Sequence, residues 1–164
     1  MLEPYELDLL RRCIALSREA VEAGDNPFGS VLADGDGNVL REERNRVATS
    51  GDVTAHPELA LAAWASGHLT PGERSRATLY TSAEHCPMCA AAQVWSGVGR
   101  LVFVLSGPTV RELKPVDGPA IDLSSREVIS RSNVPISVFG PVEELQDEAS
   151  AVFGLWPVSR SSLG

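Results

Sequence analysis

A chain of 164 residues, 43% of them apolar, can build one domain around a real core. Its net charge of −8 and its short basic pairs, such as Arg11-Arg12, argue against a nucleic-acid partner and for a small-molecule substrate. Three cysteines, two of them three residues apart, do not make a disulfide framework; they fit a metal or redox pair in a cytoplasmic protein. The opening MLEPYELDLL has neither a basic leader nor an apolar signal core, and no apolar run is long enough to span a bilayer, so no membrane role is expected.

Residues 5–23 read as an amphipathic helix, with Leu9, Leu10, Cys13, Ile14, Ala20 and Val21 on the core face and Gly24 as its stop. Cys13 is expected to be a small buried hydrophobe. NPFGSVLADGDGNVLREERN then predicts two strands joined by the turn residues Asp34–Asn38. A helix is expected from His56 to about Ser66, a strand over 77–82, a second apolar helix from Cys86 to about Ser96, and a buried strand over 100–105. Ser124-x-x-Glu127 is a capping box that starts another helix. A last strand over 135–139 and a helix over 141–152, with Val142, Leu145, Ala149 and Val152 inward, complete the pattern.

From the third strand on, strands alternate with helices, which predicts a mixed sheet with helices on both faces. The helix-bearing stretch between residues 105 and 135 makes the last two strands parallel. No internal repeat or linker interrupts the chain. Residues 1–156 read as a single domain and 157–164 as a loose tail.

Two stretches carry the chemistry: TAHPELALAAW and SAEHCPMCAAA. In each, a potential metal ligand stands directly before a proline. Proline favours the first helical position, because its missing N–H would be unpaired there anyway, so His56 and Cys86 should each cap a helix. Cys89 then returns beside Cys86, as the residues of a capping box do. Mid-helix, His56 and Glu58 would point apart; at a helix start the cap side chain escapes that rule. Helix N-termini also favour thiolates through their free N–H groups and partial positive charge. One His and two Cys suit zinc, and three protein ligands leave the fourth tetrahedral position for water, as in a catalytic site. Glu58 would be the base and acid working beside that water. A fourth ligand, with His85 and His68 the remaining histidines, would instead make the zinc structural.

H-x-E followed by C-x-x-C resembles the signature of the zinc-dependent cytidine deaminase-like superfamily. NPFGSVLADGDGNVL looks like the hairpin before its first motif, RNRVATSGDVTAHPE like the segment carrying a substrate asparagine, and LYTSAEHCPMC like its second motif. The likeness covers about residues 5–105 and, through Asn45 and ATSGDVTAH, is nearest to guanine deaminase and its nucleobase-deaminase relatives. It implies a three-layer α/β/α sandwich with a five-stranded sheet, zinc on His56, Cys86 and Cys89, proton shuttling by Glu58, and a base held by Asn45 against Phe28. Ser82 could offer its backbone to substrate. The resemblance also implies a homodimer, in which the C-terminal end of one subunit can close the other's pocket; Phe153 and Trp156 are the candidates for that lid.

Two departures touch substrate choice. Pro57 stands where a small residue is usual, and Glu84-His85-Cys86 stands where Glu-Pro-Cys is usual. Asp117 and Glu112 are candidates for an acidic reader of the ring, and Glu84 is open between a pocket and a structural role. Trp64 and Trp95 are expected in the core or at a dimer contact. The expected activity is hydrolytic release of ammonia from a free base or similar heterocycle: guanine, cytosine, 5-azacytosine or an amino-s-triazine. The alternatives are a tRNA adenosine deaminase and a non-catalytic, zinc-stabilised binding protein.

Overall fold

The computed structural model describes residues 2–114 and 118–157. Helix α1 (Pro4–Glu22) starts with proline at its first turn and a capping box between Glu3 and Glu6. It ends at Gly24, whose φ of +88° lets the chain turn back without a Cβ clash. The buried face is turned slightly from expectation: Leu16 and Ser17 are inside, whereas Leu9 and Val21 are only partly covered. Cys13 is fully buried, and burial pushes its thiol pKa well up, as suits a packing residue.

The hairpin strands are β1 (Gly29–Ala33) and β2 (Val39–Arg44). Their turn is drawn together by Asp34 Oδ1, which accepts from the N–H groups of Asp36 and Asn38, both at 2.9 Å. After the short helix α2 (Val47–Ser50) come α3 (Pro57–His68), α4 (Pro71–Arg76), β3 (Thr78–Ala83), α5 (Pro87–Ser96) and β4 (Arg100–Leu105). The chain closes with α6 (Gly107–Leu113), α7 (Ser125–Ser130), β5 (Ser137–Phe139), a 3₁₀ turn (Glu143–Leu145) and α8 (Gln146–Phe153).

One five-stranded sheet results, in the order β2-β1-β3-β4-β5. β1 is antiparallel to both β2 and β3, while β3–β4 and β4–β5 are parallel. The mixed sheet and its parallel last pair are therefore as expected. β5 is shorter than expected because it starts after Pro135, which cannot donate to a ladder.

Strand alternation divides the core into two layers. Val31, Ala33, Val102 and Val104 face α1 and α8, where Leu10, Ile14, Leu145, Val152 and Phe153 meet them. Leu32 and Leu79 face α3 and meet Leu61 and Ala65; Leu101 and Phe103 meet Ile129 of α7. Gly29 lets β1 approach α1 closely: a Cβ there would lie 2.4 Å from Cys13 O and 2.7 Å from Ser17 N. No helix among the described residues is long and apolar enough to cross a membrane.

Candidate active site

Helices α3 and α5 pack side by side, and both begin at the carboxyl-terminal end of β3. Their caps are His56 and Cys86, each followed by proline at the first turn. His56 Nδ1 lies 3.6 Å from Cys86 Sγ and 3.6 Å from Cys89 Sγ, and the two sulfurs are 3.5 Å apart. Zinc bonds of about 2.3 Å to sulfur and about 2.0 Å to nitrogen at tetrahedral angles place ligand atoms roughly 3.5–3.8 Å apart, so this triangle fits a tetrahedral ion. Among the described residues these three alone form such a metal-competent group. His85 is not part of it: its ring is buried, and neither nitrogen has a hydrogen-bond partner. Burial lowers its pKa to about 4, which keeps it neutral. His68 is exposed at the far end of α3, bonded to Trp64 O.

The metal-free cluster shares its protons unequally. The bond from Cys89 holds the Cys86 thiol down at about 4, and that same bond pushes Cys89 up. His56 is raised by its bond to the Cys86 sulfur. The cluster thus already holds a thiolate, the form a metal ion requires.

Glu58 lies one residue into α3 beyond Pro57 and is only 4% exposed. Its Oε2 is 3.7 Å from Cys89 Sγ, and its Oε1 accepts from Thr81 Oγ1 at 3.2 Å. Thr81 in turn accepts from Ser30 Oγ at 2.9 Å. Burial pushes the Glu58 carboxyl pKa up, toward the protonated form. Thr81 and Ser30 were not singled out in the sequence. The signal was there in principle, since alternation along β1 and β3 puts both hydroxyls on the α3 side of the sheet.

Asn45 stands just past β2, with its N–H bonded to Phe28 O at 2.9 Å. The loop from Asn45 to His56 is closed at its base by Arg46 N–H on Ala55 O at 3.1 Å, which joins the residue after Asn45 to the residue before His56. Asn45 is 1% exposed, and its Oδ1 accepts from Val47 N–H at 3.0 Å. That bond fixes which end of the amide is which: Nδ2 is the free donor, and no described residue accepts from it.

Phe28, Phe153 and Trp156 are brought together in one chain as an edge-to-face trio, with ring centroids 5.2 to 5.7 Å apart. Phe153 is fully buried in the α1–α8 layer, whereas Trp156 is half-buried and donates its Nε1–H to Asn26 Oδ1 at 2.9 Å. Ser82 is buried in β3, where its Oγ accepts from Gly29 N–H at 3.2 Å. Glu84 is structural: Oε2 accepts from Gly107 N–H, and Oε1 from the N–H and hydroxyl of Ser125. It thereby closes the N-termini of α6 and α7 at once. Glu112 is exposed on α6, and Asp117 lies outside the described residues. Trp64 is half-buried, stacked on His68; Trp95 is 85% exposed and so is not a core residue of this chain.

Residues 5–105 match the cytidine and deoxycytidylate deaminase zinc-binding region. The chain belongs to that family. It is a zinc deaminase by family and by the ligand set it presents. It is 38% identical to a probable cytosine deaminase of Schizosaccharomyces pombe, over 97% of each chain. It is 41% identical to guanine deaminase of Bacillus subtilis, over 53% of this chain and 56% of that one. The tRNA-specific adenosine deaminase of Haemophilus influenzae is also similar, at 31% identity over 60% of this chain and 57% of its own. Among solved structures, guanine deaminase from Nitrosomonas europaea superposes with a TM-score of 0.73 over 93% of this chain and 84% of its own, at 24% identity, a likeness of fold.

Proposed function

We propose that the protein releases ammonia from a free aminated nucleobase or a related small heterocycle, of the cytosine, guanine, 5-azacytosine or amino-s-triazine type. The observation that carries this reading is Glu58: a buried, donor-poor carboxylate set 3.7 Å from one sulfur of a three-atom metal triangle. In hydrolytic deamination a C–O bond forms, the C–NH₂ bond breaks, and protons must reach a ring nitrogen and the leaving amine. Zinc held by His56, Cys86 and Cys89 would supply Lewis acidity that lowers the pKa of water at the site. Glu58 Oε2 is the atom that takes and returns protons, and burial raises the pKa of its carboxyl. Thr81 holds the other oxygen, so the carboxylate cannot swing away. Asn45 Nδ2 donates to an acceptor on the ring, and Phe28 with Trp156 walls the base. Phe153 supports them from behind.

The acidic chain and its full-length likeness to a probable cytosine deaminase support a small free base over RNA. The likeness to tRNA-specific adenosine deaminases keeps a second reading alive. A homodimer is part of the proposal, with exposed Trp95 on α5 as the apolar residue such a contact would cover.

The test is ammonia release by the zinc-loaded protein from cytosine, guanine, 5-azacytosine, amino-s-triazines and adenine, from the matching nucleosides, and from tRNA. Turnover of a free base, with the nucleosides inert, is the expected result. Turnover of tRNA alone, or silence across the panel with zinc bound, would overturn the proposal.

A further inference from the structure

Asp25 is the one carboxylate among the described residues with no exposed surface at all, and it is not part of the metal triangle. It follows the turn that ends α1, where its own N–H bonds Ala20 O at 2.8 Å. Its side chain accepts three hydrogen bonds, all at 2.8 Å: from Arg44 Nη1, from Thr49 N–H and from Thr49 Oγ1. Burial alone would raise its pKa, but these donors hold it below the usual carboxylate value. A charge this well satisfied does no proton chemistry; it fixes geometry.

What it fixes is the segment on either side of Asn45. Arg44, the residue before, uses the same Nη1 to bond Asn45 O at 2.9 Å. Thr49 lies in α2, whose first residue, Val47, gives its N–H to Asn45 Oδ1. α2 has no buried residue, so the core does not hold it in place. Among the described residues, its long-range hydrogen bonds run through Thr49 to Asp25. The carboxylate therefore clamps Asn45 through Arg44 on one side and through Thr49 and Val47 on the other.

We infer that Asp25 is a positioning residue for base recognition: it sets the direction of Asn45 Nδ2 without touching the base. The inference rests on the proposal that Asn45 binds the substrate.

Two measurements test it. The first is amide hydrogen exchange at Val47 in wild type and Asp25→Asn, which needs no substrate. Asn keeps the shape but turns an N–H₂ toward donors. Exchange at Val47 should quicken about tenfold or more, while β3 and β4 amides stay within about twofold. The second is steady-state kinetics on cytosine and on guanine for wild type, Asp25→Asn, Asn45→Ala and the double variant. Asp25→Asn should raise KM about tenfold with kcat within about threefold, and in the Asn45→Ala background it should add nothing. If Asp25→Asn fails to fold, Thr49→Val removes one donor and should raise KM about threefold, again only while Asn45 is present. Unchanged Val47 exchange, or KM effects that multiply in the double variant, would overturn the inference. Asn45→Ala with normal KM would instead overturn the role of Asn45. Wild-type silence on both bases would remove the proposed activity, and the exchange result would then judge the clamp by itself.

Discussion

Glu58 and Asp25 are both carboxylates cut off from solvent, 4% and 0% exposed, yet their surroundings are opposite. Glu58 has one hydroxyl donor and a thiol nearby, and its pKa is raised by burial. Asp25 has a guanidinium, an N–H and a hydroxyl, and its pKa is lowered despite burial. A group proposed to take up and release protons is left short of partners; a group proposed to hold a loop still is given three donors. The same contrast separates the two halves of the site. The metal half is made by residues close in sequence at two helix starts, and the proposed recognition half by contacts across many residues.

Substitutions should break this contrast in a graded way. The largest effect on stability is expected from Asp25→Ala, which strands the Arg44 guanidinium and the Thr49 N–H. Chemical denaturation should show a loss of about 3–5 kcal/mol, the usual cost of removing one partner from a buried ion pair. The pH dependence follows from the same bonds. Because the folded pKa of Asp25 lies below its ordinary 3.8, the stability it adds is present above that value. It is lost as pH falls from about 4 through the lowered folded value, so Asp25→Asn should flatten the acid limb of a stability–pH curve.

Glu84→Ala should come next. It removes the acceptor for Gly107 N–H and for the N–H and hydroxyl of Ser125, and should lower stability by about 1–3 kcal/mol with zinc content unchanged. The smallest effect has the opposite sign. The folded pKa of Glu58 is raised, so its contribution is full below its ordinary 4.5 and is lost as pH rises through the raised value. In metal-free protein at neutral pH, Glu58→Gln should therefore be more stable than wild type, by about 1 kcal/mol. A destabilised Glu58→Gln would place that residue with Asp25 as a brace and end the distinction.

The metal half was legible in the sequence because its signals are local. Pro57 and Pro87 mark where α3 and α5 begin, and the three-residue step from Cys86 to Cys89 needs no knowledge of the rest of the fold. The sheet was legible because β4 is an apolar run and α5 divides it from β3. The short helices α2 and α4 were not. α2 has no buried residue to give it periodicity, and neither has α4, although Thr70 and Glu73 form a capping box there. Asp25 and Glu84 were not assigned because their partners lie 19 to 41 residues away and are chosen by the fold. Phe153 and Trp156 were expected as a lid on a partner's pocket and Phe28 as a wall of its own; that the three pack together in one chain is a property of how α8 docks on α1.

The central claim is that Glu58 carries protons and the metal triangle stands without it. The direct measurement is the rate of ammonia release by wild type and Glu58→Gln on the base that the panel identifies, with zinc content measured in the same samples. The account requires equal zinc and a rate lower by about a thousandfold or more, the scale of a lost general acid–base group. Equal zinc with a rate within about tenfold of wild type would contradict it.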